Sequence, residues 1–281
     1  MIVTNTIAEI RETVFNLKKD GKTVGFVPTM GALHSGHLSL MRTMKNHADA
    51  VVTSVFVNPT QFGPSEDFDA YPRQIESDLE KCRNEGVAAV FLPSKEEMYA
   101  EKQLISFQLL GLGDHLCGAS RPGHFHGVIQ VVNKLFNIVQ PNFAIFGQKD
   151  IQQFYVLKRM ATEFNHGIEI LMGDTMRESD GLAMSSRNAY LNEEERKIAP
   201  KLYENLQDLA NKIRNGTDDF AALSASNRDD LRLAGFTIDY LTLVEDEFLQ
   251  PKNRHEKGEK AILAVAAYLG KTRLIDNIII E

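Results

Sequence analysis

The stretch GFVPTMGALHSGHLSL, residues 25–40, runs a hydrophobic strand into a glycine-containing turn and then into a helix. In a parallel α/β sheet, ligands bind beyond the carboxyl ends of the strands. A helix N-terminus there offers unpaired N–H donors and a partial positive charge to phosphate. His34 and His37 fall at that terminus, and their imidazoles can donate hydrogen bonds to phosphate oxygens. Gly31 and Gly36 lack a Cβ and allow a ligand close to the backbone. A metal site is the rival reading of two histidines three apart, but the zinc-protease pattern needs a glutamate after the first histidine. Here Ser35-Gly36 lies between them. Polar or capping histidines are the third reading.

Working outward, short apolar runs alternate with amphipathic stretches, the rhythm of β-α-β units around a buried parallel sheet. Strands are expected over 23–29, 50–57, 87–92, 143–147 and 168–172, and helices over 38–47, 75–85, 128–139 and 152–164. The last helix places Phe154, Leu157, Met160, Ala161 and Phe164 on one face, a core signature. Beyond residue 187 the texture changes. Asn192, as N-cap, precedes the acidic run Glu193, Glu194, Glu195, a second helix is expected over 224–234, and strands over 237–245, 261–269 and 272–280. The expected fold is a Rossmann-like parallel-sheet nucleotide-binding domain, residues 1–177, followed by a smaller α+β domain with antiparallel strands, residues 178–281, acting as a lid.

Composition agrees with this reading. The 281 residues are 43% hydrophobic and 25% charged, which leaves no support for a disordered or collagen-like chain. With 31 basic and 38 acidic residues the net charge is −7, which argues against a broad nucleic-acid surface and still permits a small anionic ligand. The longest apolar run, 261–269, is too short to span a membrane. Two cysteines and a mixed, charged start point to a reducing, cytoplasmic setting.

Two further loops carry chemistry. FGQKDIQQ, 146–153, follows an expected buried strand, with Lys149 as the natural phosphate cation, Asp150 as either a helix cap or a ligand, and Gln153 able to face a ligand. DGLAMSSR, 180–187, joins the hydroxyls of Ser185 and Ser186 to Arg187, a set that can clamp a triphosphate; a solvated linker is the alternative. His115, Cys117, His124 and His126 invite a zinc reading, but they lack paired ligand spacing, and a glycine-rich mobile wall is the simpler use of that loop.

His34-Ser35-Gly36-His37 and Met184-Ser185-Ser186-Arg187 resemble the HIGH-type and KMSKS-type motifs of the nucleotidyltransferase superfamily. With FVNPTQF (56–62), DAYPR (69–73), RPGHF (121–125), FGQKDIQQ and RESDGLAMSSRNAYL (177–191), in that order, the chain resembles the pantothenate synthetase family. The resemblance implies ATP-dependent condensation of (R)-pantoate with β-alanine, through a pantoyl adenylate, to pantothenate, AMP and pyrophosphate. It implies His37, His34, Lys149, Ser185 and Arg187 as catalytic. Met30, Gly31, Gly36, Gly147, Asp150, Met176, Met184 and Ser186 would join them around ATP. Gln61, Gln153, Asn58 and Arg121 would hold pantoate, with Gln61 also meeting β-alanine. An Asx-type turn is the alternative for Asn58, next to the stiffening Pro59. Mg²⁺ is expected with ATP, with Asp78 as its candidate contact and a surface helix position as the alternative. A homodimer without nucleic-acid or membrane partners is the expected assembly. Another HIGH-type nucleotidyltransferase and a nucleotide-binding regulatory module are the competing readings.

Overall fold

A computed structural model describes residues 1–64, 66–99, 101 and 103–281. In order the elements are β1 (Ile2–Thr4), α1 (Ile7–Lys19), β2 (Val24–Thr29), α2 (Ser35–Met44), β3 (Ala50–Val55), α3 (Ile75–Asn84), β4 (Ala89–Phe91), α4 (Lys95–Met98), α5 (Leu116–Ser120), α6 (His124–Val139), β5 (Phe143–Gly147), α7 (Ile151–Glu163) and β6 (Glu169–Gly173). They continue with α8 (Glu193–Ile198), α9 (Lys201–Ile213), α10 (Phe220–Leu223), α11 (Ala225–Leu233), β7 (Phe236–Glu245), β8 (Pro251–Lys252), β9 (Ala261–Leu269) and β10 (Thr272–Ile280). The chain divides into two compact units. The first holds residues 1–109, 121–147 and 156–174, and the second holds 110–120, 148–155 and 175–281. A single boundary near residue 177 would place the Lys149 segment in the first unit, whereas its contacts are within the second.

The first unit is built on a parallel six-stranded sheet in the order β1-β4-β3-β2-β5-β6. Its inner strands are apolar runs because both faces are covered; all six residues of β3 are buried. On one face Val27, Val51, Val55, Val90 and Ile145 pack with Leu40, Met41 and Met44 of α2 and Cys82 of α3. α1 and α6 pack on each other and also lie against β2. From β2 the chain steps through β3 to β4, and from β5 it steps the opposite way to β6. The direction therefore reverses between β2 and β5, whose adjacent carboxyl ends form a topological switch point, the place where open α/β sheets bind ligands.

The second unit is an antiparallel sheet in the order β10-β9-β7-β8. Leu202, Leu206, Leu209 and Ile213 of α9 and Leu231 of α11 form its core with Leu243, Leu263, Val265 and Ile280. Asn192 caps α8 in a reciprocal box with Glu195, as the sequence predicts.

Several features depart from the sequence reading; the short elements α4, α5, α10 and β8 were not expected, and α6 starts at His124, four residues early. β1 and α1 have no counterpart among the expected elements, although Thr6 and Glu9 form a capping box. α2 begins at Ser35, three residues early, because His34 supplies its N-cap. Phe164 lies past the end of α7 and is 50% exposed, resting against Phe107, so it is not a core residue.

Candidate functional site

The turn after β2 is held in an unusual backbone conformation. Gly31 and Ala32 both have positive φ, +82° and +49°, which costs an L-residue about 1–2 kcal/mol. Asp78, on α3 and 1% exposed, accepts N–H bonds from Ala32 and Leu33, both at 2.8 Å. Lys81 donates to the Leu33 carbonyl at 2.7 Å. Both carboxylate oxygens of Asp78 thus bond the backbone, and its burial rules out a surface position. Its function is to hold the turn that presents the histidines. Among the described residues no group of three or more His, Cys, Asp or Glu is arranged to hold a metal. The four residues of the zinc reading are separately engaged or dispersed: His115 pairs with Gln250, Cys117 with Tyr240, and His124 with Gln61 and Arg121.

The next residues cap α2 reciprocally. Gly36 N–H donates to His34 Nδ1 at 3.2 Å, and His34 N–H donates to His37 Nδ1 at 3.3 Å. An Nδ1 that accepts carries no proton, so in both rings the proton sits on Nε2. The ring centroids are 4.1 Å apart. Two uncharged N–H donors thus stand at the N-terminus of a ten-residue helix, at the carboxyl end of β2. Capping and ligand donation are compatible because they use different nitrogens. Gly147, at the carboxyl end of the neighbouring β5, has open space where a Cβ would stand, so packing does not demand glycine there.

Beyond β3 the short turn Pro59–Gln61 sits on α6. Asn58 is 1% exposed. Its Oδ1 accepts from Thr60 N–H, the Thr60 hydroxyl and the Tyr99 hydroxyl, and its Nδ2 donates to Gln61 Oε1 and the Gly127 carbonyl. Its amide is fully engaged, so Asn58 supports Gln61 instead of meeting substrate itself. Gln61, with Oε1 occupied, directs Nε2 toward Met30 Sδ at 3.1 Å. Arg121 is likewise engaged. It forms a bidentate pair with Glu66, 2.7 Å at each bond, and its third nitrogen reaches His124. As a substrate cation it is therefore already neutralised. Burial raises the Glu66 carboxyl, but hydrogen bonds and charge from Arg121 outweigh that and hold it at about 2.

In the second unit both remaining loops are tied to β10. Asn277 donates to the carbonyls of Gln148 and Lys149, at 2.9 and 3.1 Å, and accepts from the Gln148 amide. Asp276 binds both terminal nitrogens of Arg177, whose guanidinium also lies 3.3 Å from the Tyr203 ring centroid. Arg177 opens a small hairpin bridged to Ala183, in which the Met176 carbonyl accepts from Met184 N–H. Ser185 caps the helical turn that follows, its Oγ accepting from Arg187 N–H. Lys149 lies 3.6 Å from Asp150. Gln152, not Gln153, is the buried structural amide, bonding Leu112, His115 and Gly118, while Gln153 is half-buried.

The first unit therefore brings together Met30, Gly31, His34, Gly36, His37, Gln61 and Gly147. The second brings Lys149, Asp150 and Gln153 onto one segment and Met176, Met184, Ser185, Ser186 and Arg187 onto one hairpin. Sequence reasoning missed Asp276, Asn277, Glu66 and His124. The signal for the first two was a polar pair inside the apolar strand TRLIDNIII; His124 stood in the quoted segment RPGHF without a role of this kind, and Glu66 left no signal.

A Rossmann-like sheet with a histidine-capped helix at its switch point defines a nucleotide-using enzyme of the HIGH type. The pantoate-beta-alanine ligase family model matches residues 2–279, and the chain belongs to that family. It is 48% identical over 279 residues to the pantothenate synthetase of Alcanivorax borkumensis, covering 99% of this chain and 97% of that one. It is 49% identical over 281 residues to that of Fervidobacterium nodosum, with full coverage of both. The crystal structure of the Thermus thermophilus enzyme matches with TM-score 0.91 at 42% identity, covering 99% of each chain. The Francisella tularensis pantoate-beta-alanine ligase, complexed with beta-gamma ATP and beta-alanine, matches with TM-score 0.83 at 35% identity, covering 99% of this chain and 97% of that one. The protein is accordingly an ATP-using ligase that joins pantoate to β-alanine.

Two outcomes test the geometry. Asp78→Ala leaves one buried and one partly buried N–H group unpaired, so urea unfolding is expected to show a loss of about 1–4 kcal/mol; an unchanged midpoint would remove Asp78 from the turn. Because the Glu66 carboxyl sits near 2 in the folded chain against an ordinary 4.5, its stabilisation is complete above about pH 4.5 and is lost as pH falls toward 2. Between those limits the unfolding midpoint of Glu66→Gln is expected to fall less steeply than that of the unaltered protein.

Proposed function

We propose that the chain makes pantothenate in two steps through a pantoyl adenylate. The pantoate carboxylate attacks the α-phosphorus of ATP and pyrophosphate departs; the β-alanine amine then attacks the acyl carbon and displaces AMP. Neither step needs a protein nucleophile. Positioning and stabilisation of charge on the phosphates supply the rate. The observation that carries this reading is the pair of imidazoles at the N-terminus of α2, each accepting a backbone N–H at Nδ1.

The roles follow from the donor types. His34 and His37 donate to phosphate oxygens, and Lys149, Ser185, Ser186 and Arg187 stabilise the departing pyrophosphate. Met30, Gly31, Gly36, Gly147, Asp150, Met176 and Met184 form the nucleotide contacts, with Gly147 leaving the space that a base or ribose requires. Gln61 and Gln153 hold pantoate, whose hydroxyls and carboxylate match an amide's mixed donor and acceptor, and Gln61 also meets β-alanine. Mg²⁺ is proposed as the counter-ion of ATP, held by phosphates and water. Among the described residues no group of three or more His, Cys, Asp or Glu is arranged to hold it. We place the reaction in the cytoplasm and the active form as a homodimer. Among the described residues no helix is long and apolar enough to cross a membrane.

With Mg-ATP and pantoate, the purified protein is expected to exchange labelled pyrophosphate into ATP and to release AMP only once β-alanine is added. Exchange supported by a phosphate ester but not by pantoate would overturn the reading. His37→Ala is expected to slow that exchange about 10²- to 10³-fold, the usual effect of removing one donor to developing charge. An unaltered rate would take His37 out of the mechanism.

A further inference from the structure

RPGHF, 121–125, begins α6, and its histidine is 9% exposed. His124 Nδ1 lies 2.8 Å from the Gln61 carbonyl oxygen. A carbonyl only accepts, so Nδ1 carries the proton. Nε2 lies 2.9 Å from an Arg121 terminal nitrogen, and a guanidinium only donates, so Nε2 is the acceptor. These two partners fix His124 as the neutral Nδ1–H tautomer, the opposite of His34 and His37. Arg121 is aimed at it by the bidentate pair with Glu66, and Glu66 in turn accepts from Gly63 N–H at 3.2 Å. The loop that carries Gln61 is thus fastened to the start of α6 through the Gln61 carbonyl and through Glu66. A third fastening is the bond from Asn58 to the Gly127 carbonyl. There Gly127 lies so close that a Cβ would stand 2.2 Å from the Thr60 oxygen.

We propose that His124 is a positioning residue for pantoate: it fixes the Gln61 peptide, and so sets where the Gln61 amide is presented, through a tautomer imposed by Arg121 and Glu66. The division of labour with Asn58 is geometric. His124 sets the origin of the Gln61 side chain, while Asn58, by donating to Oε1, leaves Nε2 as the end of the amide directed toward Met30. The arrangement also accounts for the half-buried Arg121, whose charge, held by a carboxylate, serves the histidine and not the ligand. A partly buried ion pair of this kind stabilises little relative to apolar packing, whereas it can enforce a single conformation. The inference rests on the assignment of Gln61 to pantoate.

The test is steady-state kinetics of His124→Ala, His124→Asn, Gln61→Ala and the double variant His124→Ala/Gln61→Ala, with pantoate and ATP varied separately. His124→Ala is expected to raise the pantoate KM about tenfold, the effect of one misplaced hydrogen bond, with the ATP KM within about twofold. Asn carries an N–H near the Nδ1 position, so His124→Asn is expected to recover most of the loss. Because His124 acts through Gln61, its removal is expected to add little in the Gln61→Ala background. An unchanged pantoate KM in His124→Ala, multiplicative effects in the double variant, or ATP and pantoate KM rising together without rescue by Asn would each overturn the proposal. If Gln61→Ala itself leaves the pantoate KM unchanged, the assignment of Gln61 falls and takes the inference with it. Independently of how the variants fold, the ¹⁵N spectrum of the unaltered protein is expected to show His124 protonated at Nδ1 and bare at Nε2. An imidazolium or the reversed tautomer would refute it.

Discussion

The hold of Asp78 on the backbone of Ala32 and Leu33 is the contact on which the site depends. The chain must leave β2, reverse and enter α2 within five residues, and it does so through consecutive left-handed conformations at Gly31 and Ala32. Glycine accepts this without strain, but the alanine opposes it by about 1–2 kcal/mol. Two hydrogen bonds to a buried carboxylate, about 1.5–3 kcal/mol each, outweigh that cost. With the turn fixed, His34 arrives at the N-cap, and its Nδ1 and that of His37 satisfy backbone N–H groups which would otherwise compete for a ligand's oxygens. The capping that reads as a purely structural duty determines the protonation pattern, leaving both Nε2 atoms as donors.

The same logic recurs in the second unit with different chemistry. Lys149 and the hairpin that leads into Ser185–Arg187 belong to separate stretches of chain, yet both are anchored on neighbouring residues of β10, Asn277 to the first and Asp276 to the second through Arg177. Successive residues of a strand face opposite sides of its sheet, so one strand supplies an anchor for each loop. β10 is an edge strand, paired along its whole length with β9, and buried Leu274 and Ile280 hold it on the core, which gives the two polar residues a fixed base. A loop that must bring a cation to a phosphate gains more from such anchoring than from added charge, because a misplaced cation is simply solvated.

Much of this was legible in the sequence because the signals are local. Strands buried on both faces read as apolar runs, which is why β3 and β5 were located closely and the short edge strand β1 was not. The glycine and histidine spacing of residues 31–37 announced a helix N-terminus, although the start of α2 was misplaced because histidine is an unusual cap. What the sequence concealed is long-range pairing of polar groups. Asp78 sits on an amphipathic helix in a position that reads as solvated, and only the fold brings it to a turn 46 residues earlier. Arg121 looks like a substrate cation until Glu66, 55 residues away, is seen to hold it. Asn58 is the converse. Its role as a turn-forming residue was open from its neighbour Pro59, and its saturated amide favours that structural reading.

These engaged residues explain how a chain of net charge −7 can serve an anionic nucleophile and an anionic nucleotide. In the first unit Arg121 and Lys81 are committed to Glu66 and to the Leu33 carbonyl, so the ligand contacts proposed there are two imidazoles and an amide. A carboxylate that must attack phosphorus is better held by neutral donors than by a guanidinium. A bidentate ion pair would stabilise its charge in the ground state, and stabilisation of the reactant that is not matched in the transition state slows the step. Neutral amides discriminate by geometry, which is why their own positions must be fixed by buried partners. For the second unit the proposed role of Lys149 and Arg187 is different, since charge on a departing pyrophosphate grows as the reaction proceeds and a cation stabilises it more as it grows.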